Sequence, residues 1–330
     1  MPSIRTIAVL AALSIVLSAG GIGCSGKRVM VRTARTLLPD AMAAFNDEPD
    51  RELARTAGFS NLKYLETLHR AAPGDQEILV ALAQAFGGMA VAFLEDDMEA
   101  ARGVDEARFD EARQRAAAFY RRGQEYAGQA LELRHPGILQ KLEGGGADQA
   151  LRELNGDDLP ALFWYAFDQG GALWLSRSEP AALRELPLNR RLILRAIELD
   201  ETYFFGGPLL LRGLVDATLP PLLGGSLEAG DLLVSRAIEI SDGRFLLARV
   251  LHARFVALPA GDRERFDDEL DAVLAAPLDV LPGYRLFTVV AQRRAERLKA
   301  RAEQLFQANY PHSAGVRESR TGKHGMKGKG

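Results

Sequence analysis

The sequence predicts an all-α fold of stacked antiparallel helical hairpins, an α-solenoid. Three observations carry that expectation. Leu, Ala, Arg and Glu are abundant and no run of Val, Ile and Thr alternates with period two, so helix formers dominate. Apolar residues recur instead at steps of three and four, as Ile78, Leu82, Phe86, Met89 and Phe93 do on one face of a helix over 75–95. Several segments also end alike: 65–73 reads LETLHRAAP, 126–136 YAGQALELRHP, 195–200 RAIELD and 236–242 RAIEISD. Each has a small residue, a large apolar pair one turn on, and Pro or Asp at the exit. The small residue lets neighbouring helices approach, and the exit residue stops one helix before the next begins.

The elements follow in chain order. Arg5 and the amino terminus precede an uninterrupted apolar run, Thr6 to Leu17, and then the small residues Ser18 to Gly23, so residues 1–23 read as a lipoprotein export signal. Cys24, the chain's only cysteine, would be lipidated on sulfur and become the first residue of the mature protein. Gly21 stands where such signals usually carry leucine. Two other readings are open. The uncharged stretch 6–26 approaches the roughly 20 apolar residues that span a bilayer and could stay as an anchor, although Gly and Ser crowd its second half. Earlier cleavage would leave Cys24 a free thiol.

Residues 24–50 are a tether and N-terminal helical segment, and 51–308 form the helical domain. After Gly26 no apolar run approaches membrane-spanning length, so the body is expected to be soluble on its tether. Phe109, Ala112, Ala116, Tyr120, Gly123, Ala127 and Ala130 mark a helix over 105–133. Leu159-Pro160 opens another, to 175. Further helices are expected over 189–199, 230–240, 244–258, 263–274 and 284–306, separated by Gly and Pro signals such as Gly206-Gly207-Pro208. The recurring helix exits resemble the second helix of a tetratricopeptide repeat, with irregular spacing that makes the repeats divergent. Residues 309–330 carry five Lys or Arg and almost no large apolar side chain, a disordered basic tail. The alternative for that tail is an arm on anionic lipid.

Composition excludes several functions. A net charge of −3 argues against nucleic acid as a partner, and one cysteine forbids an internal disulfide. No Walker A, HExxH, GxSxG or CxxC sequence occurs. The one match to G-x-G-x-x-G, residues 21–26, lies inside the export signal without a preceding strand. The five histidines are scattered, with His69 and His135 near helix C-termini, where exposed carbonyls favour imidazole. The acidic pairs Asp96-Asp97, Asp157-Asp158 and Asp267-Asp268 read as caps and solvated surface. No catalytic residue, metal ligand set or cofactor is expected, so the protein reads as a non-enzyme.

Aromatic residues carry the remaining signal. Both tryptophans lie in 159–175, and Trp164, Phe167, Gly171 and Trp174 share one helical stripe with Asp168 beside it. The Gly170-Gly171 pair could leave a groove between the flanking rings. Tyr203-Phe204-Phe205 end the RAIELD helix, and Pro220 to Gly225 form a rigid apolar turn that could line the same space. Two readings stand: core between stacked hairpins, or the wall of a ligand or partner cleft built from Trp164, Phe167, Asp168, Trp174, Tyr203 and Phe204.

LPALFWYAFDQGGALW at 159–174, RAIELDETYFFGG at 195–207 and LPPLLGGSLEAGDLLVSRAIEIS at 219–241, behind a lipoprotein-type signal, resemble the T-component (TatT) proteins of tripartite ATP-independent periplasmic (TRAP) transporters. The resemblance covers about residues 50–305. It implies a tetratricopeptide-like periplasmic lipoprotein, held at the outer membrane through its lipid, that assembles as a homotrimer with a central pore. It further implies a non-enzymatic accessory that docks the substrate-binding (P) component and shelters an apolar ligand. The alternative is a general cell-envelope assembly scaffold with no small-molecule ligand.

Overall fold

The computed structural model describes Val31 and residues 33–309. The expected signal 1–23, Cys24 and the expected basic tail lie outside these residues, apart from residue 309 itself. Among the described residues every element is helical and there is no strand.

Helix α1 spans 33–46. It is followed by α2 (Arg51–Ala71) and α3 (Gln76–Met89), whose first turns are capped by Asp50 and Asp75 accepting backbone N–H bonds. Ile78, Leu82, Phe86, Met89 and Phe93 are all at most 1% exposed, so the expected stripe is the face that α3 buries. The helix does not stop at 95. A π-turn, Ala90–Leu94, carries it into α4 (Glu95–Ala101). This corrects the expectation that no run after Gly26 could span a membrane: Gln76–Ala101 is long and apolar enough by itself. Its apolar window is 67% buried within the protein, which is how a core helix meets the same criterion.

Next come α5 (Glu106–Arg134), the short α6 (Ile138–Glu143) and α7 (Ala147–Glu153), then α8 (Leu159–Leu175) and α9 (Pro180–Leu199). Helix α8 packs on α3 and α5 on one side and on α9 on the other, which makes it the central element. Ala161, Leu162, Phe163, Trp164 and Ala166 are buried almost all round it. Helix α9 begins well before residue 189 and accommodates Pro187 inside it.

The aromatic triplet after RAIELD differs from expectation. Helix α9 ends at Leu199, and Tyr203-Phe204-Phe205 open α10 (Tyr203–Thr218) instead of closing α9. Phe204, Phe205 and Gly206 have φ of 46, 62 and 77°, one turn of left-handed backbone. Glycine tolerates that conformation, whereas each phenylalanine there costs about 1–3 kcal/mol. After the turn, Gly207 and Pro208 continue in helix.

Helix α10 packs against α11 (Leu227–Ile240). Helix α12 (Leu246–His252) runs through a second π-turn, Ala253–Ala257, into α13 (Leu258–Ala260). Helices α14 (Arg263–Ala275), α15 (Arg285–Ala300) and α16 (Ala302–Asn309) complete the described residues. The single helix expected over 284–306 is therefore broken at Arg301. The turn at 220–225 stands away from the aromatic stripe, with Leu222 98% exposed, and does not line the space beside it.

Candidate functional site

A cavity of about 820 Å³ opens between α1, α2, α3–α4, α8, α10, α12 and α15. That volume falls in the ordinary small-molecule range, roughly 300–1,000 Å³. Four of the residues expected in a cleft line it: Trp164, Phe167 and Trp174 from α8, and Phe204 from the left-handed turn. The ring centroids of Trp164 and Phe204 lie 5.1 Å apart and those of Trp164 and Phe167 5.2 Å, both edge to face. The strained turn thus carries Phe204 across to α8. Trp174 stands at another part of the wall, 5.3 Å from Phe255 and with the Arg177 guanidinium 4.2 Å above its ring.

Tyr203 and Asp168 do not line the cavity. Tyr203 packs edge to face on Phe163 at 5.2 Å, and burial pushes its hydroxyl up to about 12. Asp168 points the other way, into the seam where α8 meets α3 and α5. Its carboxyl lies against the α-carbons of Gly87 and Gly123, in space that a Cβ at either position would fill. It is fully buried, neither oxygen has a hydrogen-bond partner among the described residues, and desolvation pushes its pKa well above the carboxylate range. It is therefore a neutral carboxylic acid inside the helix packing. The stripe on α8 placed it beside the aromatics, but one residue further along a helix turns the side chain by about 100°. Gly170 and Gly171 both line the cavity, and the Tyr120 ring, itself part of the lining, stands 2.6 Å from where a Cβ at Gly171 would be.

The polar end of the cavity was not legible in the sequence. Glu95 and Glu99 on α4 line it with Arg254 of the second π-turn, Arg294 and Arg297 of α15, and Arg301 at the C-terminal cap of α15. A π-turn is wider than an α-turn and leaves backbone acceptors free, and such turns concentrate at functional sites. Here the Val91 carbonyl in the first π-turn accepts a bond from Arg294, and Arg254 in the second reaches Glu99 at 2.8 Å. Burial disfavours the Glu99 anion, but Arg254 and Arg102 outweigh it and bring its carboxyl down to about 2. Asp96, expected on the surface, is instead 3% exposed and holds Arg51, Arg293 and Arg297. His252, just before the second π-turn, is buried between Asp231 at 2.9 Å and Glu269 at 3.0 Å. The signal that could have found this end is the match between Glu95, Asp96 and Glu99 and the arginines at 293, 294, 297 and 301, spaced to share a helical face.

The fold and the cavity define an all-helical protein built around an apolar chamber with one ionic end. Residues 47–306 match the family described as TRAP transporter T-component, and the chain belongs to that family. Membership makes it an accessory of a TRAP transport system, extracytoplasmic and associated with the cell envelope. An uncharacterized protein of Treponema pallidum (strain Nichols) is 25% identical to it over 330 aligned residues, which span 92% of this chain and 98% of that protein.

Proposed function

We propose that this T-component is a non-enzymatic scaffold that docks the substrate-binding (P) component of its TRAP system and shelters an apolar ligand on the way. The observation that carries the reading is the cavity wall of Trp164, Phe167, Trp174 and Phe204, large, rigid, apolar rings of which Phe167, Trp174 and Phe204 are left partly exposed. Such rings would ordinarily be packed away, since burying a large apolar side chain stabilises by about 1.5–3 kcal/mol. Asp168 and Tyr203 support the wall from behind. In this reading the mature chain begins at lipidated Cys24, is held at the outer membrane, and presents 51–308 as divergent tetratricopeptide-like hairpins behind a tether and N-terminal helical segment, 24–50. Copies assemble as a homotrimer.

The test is co-purification of the full-length protein with the P component encoded beside it. Trp174 is partly exposed at the wall, so Trp174→Ala is expected to weaken that complex at least about tenfold, as loss of an aromatic anchor does, while far-UV circular dichroism stays unchanged. If the complex survives substitutions at Trp174, Trp164 and Phe204 alike, docking through this wall is wrong and a general envelope scaffold remains. Native mass spectrometry of the wild type tests the trimer and the bound ligand together.

A further inference from the structure

The ionic end of the cavity is not electrically balanced. Glu95 pairs with Arg294, Asp96 with Arg51, Arg293 and Arg297, and Glu99 with Arg102 and Arg254. Glu52 takes a further bond from Arg51 and Glu296 acts on Arg293, which leaves five carboxylates against these six guanidiniums. Arg301 adds a seventh. It lines the cavity one turn beyond Arg297, is partly buried, and its side chain has no partner among the described residues. A position at the end of α15 favours a basic residue through the helix dipole, but that does not account for a surplus of two positive charges around one end of an apolar chamber. The surplus is felt nearby. Arg177, stacked on Trp174, has its pKa lowered by burial and then by repulsion from Arg102 and Arg254.

Resting on the sheltering role proposed above, we infer that the ligand is an anionic amphiphile, its hydrocarbon chain among Trp164, Phe204 and Phe287 and its head group on Arg301. The dimensions and chemistry agree: aromatic rings line one region, guanidiniums line another, and the same cavity of about 820 Å³ joins them. A planar guanidinium with no partner is suited to a carboxylate or a phosphate, either of which it can hold with two parallel bonds. A neutral amphiphile would leave the surplus uncompensated, so the head group is the determinant of specificity. The carboxylate of a long-chain acid and the phosphate of a single-chain phospholipid offer the same anionic chemistry.

The experiment is photo-crosslinking on the full-length protein in isolated envelopes, with three diazirine probes of equal chain length: hexadecanoate, hexadecyl phosphate and hexadecanol. Labelled peptides are mapped and half-maximal labelling concentrations compared. At least one anionic probe is expected to label cavity peptides from α8 or α15 at about tenfold lower concentration than the alcohol, a gap of the size a charge-assisted bond supplies. The better of the two anions identifies the source of the head group. Arg301→Gln is expected to remove that advantage and Arg301→Lys to keep much of it. Because the Arg301 side chain has no partner among the described residues, neither change breaks an ion pair among them. Equal labelling by all three probes, or an advantage unaffected by Arg301→Gln, overturns the head-group assignment while leaving an apolar ligand in place. No labelling of cavity peptides by any probe removes the sheltering role itself, and this inference with it.

Discussion

Asp168 is the residue whose environment departs furthest from what its chemistry prefers. A carboxyl held between two glycine α-carbons with no donor in reach cannot ionise without a large desolvation cost, so it stays protonated. Its folded pKa lies above its unfolded value of 3.8, which means its contribution is fully present below that pH and is lost as pH rises toward the folded pKa. Asp168→Asn keeps the shape and removes the titration. The variant should therefore gain stability over wild type progressively from about pH 4 upward, with a slope of up to about 1.4 kcal/mol per pH unit. Urea unfolding at pH 5 and pH 8 checks this. A difference between the two proteins that does not grow with pH would show that the carboxyl is ionised in the fold. Sequence spacing placed Asp168 near the aromatics correctly but not its direction, because Gly87 and Gly123 open the space for it from two other helices.

At the scale of elements, the two π-turns organise the site. Each interrupts a long helix where it passes the cavity, and the strap from Arg254 to Glu99 ties one interrupted helix to the other. Glu99 is only 14% exposed, so its depressed pKa reflects a screened but real interaction. A carboxyl lowered from 4.5 to about 2 on folding contributes stability that is present above pH 4.5 and lost as pH falls toward 2. The loss is on the order of 3 kcal/mol across that window. Glu99→Gln is expected to flatten the acid limb of the stability curve between those values, as acid titrations followed by circular dichroism would reveal. An unchanged acid limb would mean that the strap contributes nothing. Helix existence along 75–95, 105–133, 159–175 and 263–274 was readable from apolar spacing. The π-turns were not, since a single extra residue in a turn leaves no mark in a pattern of steps of three and four. The left-handed turn at Phe204 and Phe205 was hidden for a related reason: nothing local favours φ of 46° and 62° in phenylalanine, and only the surrounding rings hold it.

For the whole molecule, attachment and assembly are the properties that decide where the cavity works. The proposal that Cys24 carries the lipid predicts that wild type partitions with membranes and that Cys24→Ala is released to the soluble fraction. Equal partitioning of both would mean the signal is retained as an anchor. The sequence by itself determined the all-helical class, the aromatic stripe on α8 and the resemblance that the family match then established. These are local or periodic properties, written in consecutive residues and in spacings of less than a few turns. Tertiary structure alone decided that Phe204 meets Trp164, that Asp168 turns away from them, and that Asp96 is a buried hub for three arginines. It also brought Arg301 to the same chamber as the tryptophans, more than a hundred residues apart in the chain. Such pairings depend on which helix faces which, and that is settled by the joint packing of all the elements rather than by the composition of any one of them.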